Sequence, residues 1–211
     1  MTGEISPIPE IHSLAEKYGS LIVVDDAHAT GVLGENGRGT PEHFLLHESA
    51  IIYQTETMSK ALGVYGGFIS ASNAIINRIR EDSRTYLAST SLPPPIVSAA
   101  CTALKVIRQQ PQLRAALTRN ASELRKGVIE LGFHTTVVPS PIIPIFFSSL
   151  EKARSLSQYL EDNGLIVPCV HYPVKMDHFI TRMTVSANHT RDQIAELLDL
   201  LKKWRSKHGV A

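Results

Sequence analysis

The residue best suited to covalent chemistry is a lysine set among small and hydroxyl side chains. Lys60 lies in Thr55-Glu56-Thr57-Met58-Ser59-Lys60-Ala61-Leu62-Gly63, with Gly66-Gly67 just beyond. Between two short apolar segments such an amine is expected to be partly desolvated, which lowers its pKa and frees it to attack a carbonyl carbon. Taken alone, a loop lysine is usually a solvated charge. Upstream stands Asp25-Asp26-Ala27-His28-Ala29-Thr30-Gly31, directly after an apolar run, and then Gly34-Glu35-Asn36-Gly37-Arg38-Gly39. An acid and an imidazole held at a strand terminus, on a backbone that glycine lets turn sharply, suit the edge of a cofactor ring. In isolation the same residues more often cap a turn. Metal binding lacks a second His or Cys at ligand spacing. A third group, Ser89-Thr90-Ser91, precedes Pro93-Pro94-Pro95. Hydroxyls at a helix start, where N–H groups are free, can form a phosphate site, although most such runs are only caps.

The elements that must position these groups follow from hydrophobic spacing. Ile11, Leu14 and Ala15 share one face of a helix expected over 10–18, which Gly19 is placed to end. Leu21-Ile22-Val23-Val24 is a continuous apolar run, expected to be a parallel strand covered on both faces with Asp25 and Asp26 at its carboxyl end. Ligands gather at that end of open α/β sheets. Residues 51–53 and 68–70 read as two further short strands bracketing Lys60, and Ser72 is placed to cap a helix over 74–81. The three prolines stop the chain and open a helix over 96–108.

After Pro111 the pattern becomes α+β: a helix over 112–131, a strand over 142–147, a helix over 151–162 closed by Asn163-Gly164, strands near 165–170 and 183–186, and a last helix. Thr190 and Gln193 have the spacing of a capping box for that helix, where Ile194, Leu197, Leu198 and Leu201 line one side. Two domains are expected, residues 1–110 and 111–211.

Composition narrows the classes of function. Lys and Arg number 21 against 20 Asp and Glu, a formal net charge of +1, so no global field recruits nucleic acid or an anionic membrane. The two cysteines, Cys101 and Cys169, have no CxxC spacing and suggest a reducing, cytoplasmic setting. No stretch reaches the ~20 apolar residues of a membrane span.

Taken in order, the segments DDAHATGVLGENGRG, TETMSKALGVYGGF, STSLPP and RMTVSANHT resemble those of the α-oxoamine synthases, a branch of the fold-type-I pyridoxal-phosphate enzymes, over about residues 3–204. The resemblance implies the C-terminal part of such an enzyme: a partial large α/β domain with a mainly parallel sheet, then a smaller α+β domain. It implies pyridoxal 5'-phosphate as cofactor, bound covalently by Lys60, which also moves a proton at the substrate. Asp25 would hold the ring nitrogen protonated, and His28 would lie against the phenolic oxygen. Thr57 would reach the phosphate, and Thr90 the phosphate of a partner subunit's cofactor in a homodimer with shared sites. Arg182 would pair with an amino-acid carboxylate.

The implied reaction joins a small amino acid to an acyl-CoA or acyl-carrier thioester, with decarboxylation, to give an α-amino ketone. Thr30 in HATGV is more similar to the branch that uses alanine and a pimeloyl thioester than to the branch that acetylates glycine. The family's large domain begins upstream of the segment matching Met1, so its Gly/Ser phosphate loop and its ring-stacking residue have no match here. A non-catalytic accessory chain is therefore an alternative, although Lys60, Asp25, His28 and Arg182 are all retained. An aminotransferase or aldolase on the same fold is disfavoured by the Gly-rich segment.

Overall fold

The computed structural model describes residues 1–170 and 178–209. Contacts divide the chain into two units, Ser6–Arg114 and Met1–Ile5 with Ala115–Ala211. The division thus falls within one helix a few residues beyond 110, and the first five residues join the later unit.

The Ser6–Arg114 unit is built on a three-stranded sheet in the order β1-β2-β3. Helix α1 (Ile8–Tyr18) ends at Gly19, whose φ of 62° is the left-handed conformation that glycine adopts without a Cβ penalty. Strand β1 (Ile22–Asp25) pairs in parallel with β2 (Ile52–Thr57), and β2 pairs antiparallel with β3 (Gly67–Ser70). Ile8 and Ala15 of α1 pack on Ile22, Val24 and Ile52. Side chains alternate along a strand, so this helix covers only one face. On the other face Val23 is 66% exposed, and β1 is not the doubly covered strand that its apolar run predicted.

Helix α2 (Thr40–His43) is a single turn that the spacing did not predict. Helix α3 (Asn73–Asp82) has Ser72 at its N-cap position, with no hydrogen bond from the Ser72 side chain. The short α4 (Arg84–Ala88), also unpredicted, is capped instead by Ser83, whose hydroxyl accepts from Tyr86 N–H. Helix α5 (Pro94–Gln109) then leads into α6 (Pro111–Glu130).

The later unit holds the larger core. Strand β4 (Ile142–Phe147) pairs antiparallel along its length with β6 (Phe179–Thr184), and β6 pairs with the two-residue β5 (Cys169–Val170). The strand expected over 183–186 lies four residues earlier at its start, and only the end of 165–170 is extended pairing. Helices α7 (Leu150–Asp162) and α8 (Arg191–His208) cover the sheet, with Leu156, Leu160, Leu201 and Trp204 fully buried among Ile143, Ile145 and Phe147. Trp204 meets Phe147 edge to face and stacks on His208, and its indole N–H donates to Ser155 Oγ at 3.3 Å. Truncating such a residue to alanine typically costs about 3–5 kcal/mol. The capping box of α8 is formed as its spacing predicted: Thr190 Oγ1 accepts from Gln193 N–H and Gln193 Oε1 from Thr190 N–H.

Candidate functional site

Parallel pairing fixes where β1 and β2 end. Asp25 lies opposite Thr55, and Asp26 N–H continues the ladder by donating to Thr55 carbonyl. The segment after β1 and the segment after β2 therefore leave the sheet at the same edge.

The two adjacent aspartates have different surroundings. Asp26 is 2% exposed and is held on every side: Thr40 donates its N–H to Oδ2 at 2.7 Å and its hydroxyl to Oδ1, and Gln54 Nε2 donates to Oδ2 at 2.8 Å. Its task is to fasten α2 and β2 to the strand end. Asp25 points the opposite way, as strand alternation requires. Its carboxylate is exposed, with Oδ1 accepting the Ala27 N–H at 3.0 Å. Of the pair, Asp25 is the one whose carboxylate is open to solvent.

The Gly-rich run 34–39 closes on the protein's own Glu42. That carboxylate accepts from Asn36 N–H, Arg38 N–H and Asn36 Nδ2, and a Cβ on Gly34 would lie 2.2 Å from Glu42 Oε2. Burial pushes the Glu42 carboxyl up, and these hydrogen bonds together with the Arg38 charge outweigh it, leaving it below its ordinary value.

Lys60 occupies the link between β2 and β3. Met58 N–H donates to Gly66 carbonyl and Val64 N–H to Met58 carbonyl, which folds the link back on itself. Met58 and Leu62 are both buried, beside Ala100, Leu92 and Ile107, so Lys60 is carried on a short span fixed at both ends. The amine is exposed, where partial enclosure was expected. Beside it Thr57 Oγ1 and Ser59 Oγ are 2.8 Å apart, and Ser59 N–H also points at Thr57 Oγ1.

Close approach brings the Asp25 and Lys60 segments together. Gly31 has φ of 76°, and a Cβ there would lie 2.8 Å from Ala61 Cβ, the residue next to Lys60. The hydroxyl run is joined through Leu92, which a Cβ on Gly66 would meet at 3.1 Å. Thr90 is exposed ahead of α5. The phosphate donors expected from the start of that helix are largely missing: Pro94 and Pro95 have no N–H, and Ile96 and Val97 N–H both turn back to Pro93 carbonyl. Hydroxyl side chains remain the donors there.

His28 is exposed on the segment after β1. Arg182 belongs to the other unit, on β6 opposite Pro144, and its buried Nε has no hydrogen-bond partner among the described residues. Among the described residues no group of three His, Cys, Asp or Glu is placed to hold a metal ion.

Spacing alone did not single out Asp26, Glu42 and Gln54, which build the scaffold of the site. The period of two in β2, which puts Gln54 and Glu56 on the face opposite Thr55 and Thr57, was the signal that could have found part of this set.

This architecture and this edge-of-sheet site define a class that comparison with known proteins identifies. The chain belongs to the aminotransferase class I and II family, whose model matches residues 1–201. It is 37% identical over 204 residues to 8-amino-7-oxononanoate synthase 1 of Bacillus subtilis (strain 168), covering 96% of this chain and 52% of that protein. The 8-amino-7-oxononanoate synthase of Alkaliphilus metalliredigens (strain QYMF) is 38% identical over 204 residues, with 96% and 51% covered. Among solved structures, serine palmitoyltransferase from S. paucimobilis with a bound PLP-myriocin aldimine superposes with a TM-score of 0.92 at 32% identity, over 99% of this chain and 53% of that one. The 8-amino-7-oxononanoate synthase from Francisella tularensis gives 0.81 at 29%, over 94% and 59%. The chain spans about half the length of the curated relatives it matches.

Proposed function

We propose that this chain forms part of a pyridoxal-phosphate-dependent α-oxoamine synthase, joining a small amino acid to an acyl thioester to give an α-amino ketone, carbon dioxide and the free thiol. The observation that carries this reading is the meeting of the Asp25 and Lys60 segments, through Gly31 and Ala61, at the edge where β1 and β2 both end.

The donor set suits the cofactor: an exposed carboxylate for a ring nitrogen, an exposed amine for an aldehyde, and the hydroxyls of Thr57 and Thr90 for a phosphate. When bound, pyridoxal phosphate supplies an aldehyde that condenses with amines and a ring that accepts the electron pair of a bond broken at the amino acid's α carbon. Asp25 holds the proton on the ring nitrogen, and Asp26 holds Asp25 in place from the buried side. Lys60 would hold the cofactor's aldehyde covalently and would move the proton at the amino acid's α carbon, as base and then acid. His28 would face the ring's phenolic oxygen. Thr57 binds the phosphate, and Thr90 binds that of the second subunit in a homodimer. Arg182 takes the amino-acid carboxylate with its planar fork of donors.

The favoured substrates are alanine and a pimeloyl thioester, the reaction of an 8-amino-7-oxononanoate synthase in biotin biosynthesis, supported by 36–38% identity to proteins of that name. A serine palmitoyltransferase-like member is the second reading, favoured by the backbone likeness of 0.92. Free Cys101 and Cys169 support a cytoplasmic setting, and no described helix is long and apolar enough to cross a membrane.

Borohydride reduction of the protein saturated with pyridoxal phosphate, followed by peptide mapping, tests the assignment. The pyridoxyl group is expected on Lys60, and its appearance on another lysine would overturn it. Turnover with alanine against serine, each with short and long thioesters, separates the two readings.

A further inference from the structure

Of the segment RMTVSANHT, the reading above uses only Arg182. After β6 ends at Thr184, Ser186 N–H donates to His189 Nδ1 at 3.0 Å, which folds 186–189 into a turn ahead of α8. That turn is held by the buried Asn120 of α6, whose Nδ2 donates to the carbonyls of Ser186 at 3.0 Å and His189 at 2.9 Å. Further along the same helix the buried Arg125 takes hold of the start of the neighbouring strand. Its Nε donates to Thr136 carbonyl at 2.9 Å, and its Nη2 to the carbonyls of Ser140 at 2.8 Å and Ile142 at 3.1 Å. Ile142 is the first residue of β4 and lies opposite Thr184, while Val185 N–H donates to Pro141 carbonyl. Asn120 and Arg125 thus grip the two segments that meet at one end of the β4–β6 ladder, close to the pairing of Pro144 with Arg182.

We propose that Arg125 and Asn120 are positioning residues of the site, a polar clamp from α6 that fixes the offset of β4 against β6 and thereby the face on which Arg182 is presented. The proposal rests on the functional reading above for what Arg182 binds, and on hydrogen bonds alone for the clamp. Side chains alternate along a strand, so a slip of one residue between β4 and β6 would turn Arg182 to the opposite face. A helix is stiff, and holding both segments from one helix sets how far each can slide past the other. Arginine suits the larger share of this task, because its planar fork reaches several carbonyls at fixed angles. The partners of Arg125 among the described residues are carbonyl oxygens, with no carboxylate in hydrogen-bond reach. A buried cation without a counter-charge is costly. Three carbonyl dipoles gathered around the start of β4 offset that cost only while the segment stays where it is.

The test uses the 211-residue chain with Arg125→Met and Asn120→Ala variants. The Nε–H signal of Arg182 is followed by nuclear magnetic resonance, identified by its loss in Arg182→Lys. Backbone amide exchange is followed at 182–185 and, as a reference, in α7. Affinities for pyridoxal phosphate, and for alanine in its presence, are measured by titration. In both variants the Arg182 signal is expected to move, and exchange at 182–185 to speed up by about tenfold, the size of one net hydrogen bond, with α7 unchanged. Alanine affinity should fall about tenfold in Arg125→Met while pyridoxal phosphate affinity stays within about twofold of the parent. A purely structural residue would lower both alike. An unmoved Arg182 signal in Arg125→Met, or an equal loss of the two affinities, overturns the proposal. Should Arg125→Met not fold, Asn120→Ala decides alone: an unmoved Arg182 signal there sinks the clamp. A parent chain that binds neither pyridoxal phosphate nor alanine overturns the functional reading instead, and the Arg182 signal still decides for Arg125 and Asn120.

Discussion

Asp25 and Asp26 are neighbours of one residue type with opposite tasks, and the physics separating them is strand alternation. Removing Asp26 leaves the buried Thr40 N–H without its acceptor and the Gln54 amide with only one of its two, the Arg38 carbonyl. Asp26→Ala should therefore lower unfolding free energy by about 1–3 kcal/mol, read by urea titration. Asp25→Asn should leave that midpoint in place and abolish turnover with pyridoxal phosphate, because an amide cannot keep the ring nitrogen protonated. A destabilised Asp25→Asn protein would mean the roles are reversed. Arg182 makes a different prediction: if its orphaned Nε awaits a carboxylate, Arg182→Ala should weaken amino-acid binding by roughly 2–5 kcal/mol while thioester affinity holds. Equal loss for both substrates would point to misfolding.

Glu42 adds a pH dependence at the same scale. Its carboxyl is lower in the folded protein than its ordinary value of 4.5. Its contribution to stability is thus fully present above 4.5 and is lost as pH falls through the lowered folded value. Glu42→Gln should be less stable than the parent at pH 7, and the two should converge in acid. Denaturation midpoints measured from pH 7 downward that kept a constant gap would refute the linkage.

At the scale of elements, boundaries are decided by local chemistry more than by packing. The α8 start is a case: both hydrogen bonds of the Thr190–Gln193 box are formed. Thr190→Ala is expected to cost about 1 kcal/mol, seen as a lower melting temperature with β4 and β6 intact. Prolines act in the opposite direction at α5. Pro94 and Pro95 start the helix readily, yet they remove the N–H groups that would have made its first turn a phosphate cradle. The Gly-rich 34–39 turn is likewise local, organised by Glu42 rather than by a ligand.

For the molecule as a whole, the two units differ in how much apolar surface each buries by itself. The later unit has one continuous core around Trp204, while Ser6–Arg114 has two smaller clusters and leaves Leu21, Val23 and Ile69 exposed on one face of its sheet. An exposed apolar sheet face beside an edge strand favours association. The chain should associate as concentration rises, and Val23→Lys should suppress this in sedimentation experiments while shifting stability by no more than about 0.5 kcal/mol, as expected of an exposed site. Persistent association in that variant would place the contact elsewhere.

What the amino-acid sequence determined by itself is the set of groups that need only near neighbours. Helix ends came from Gly19, Asn163-Gly164 and Thr190-Gln193, and the strand over 142–147 came from an unbroken apolar run. The ordered motifs around Asp25, Lys60, Thr90 and Arg182 were sufficient to reach the family. The tertiary structure alone showed that Asp26 is buried and Asp25 exposed, because that depends on Thr40 and Gln54 arriving from 14 and 28 residues away. It decided that Lys60 is exposed and that β1 is covered on one side, because coverage is a property of what packs against a strand.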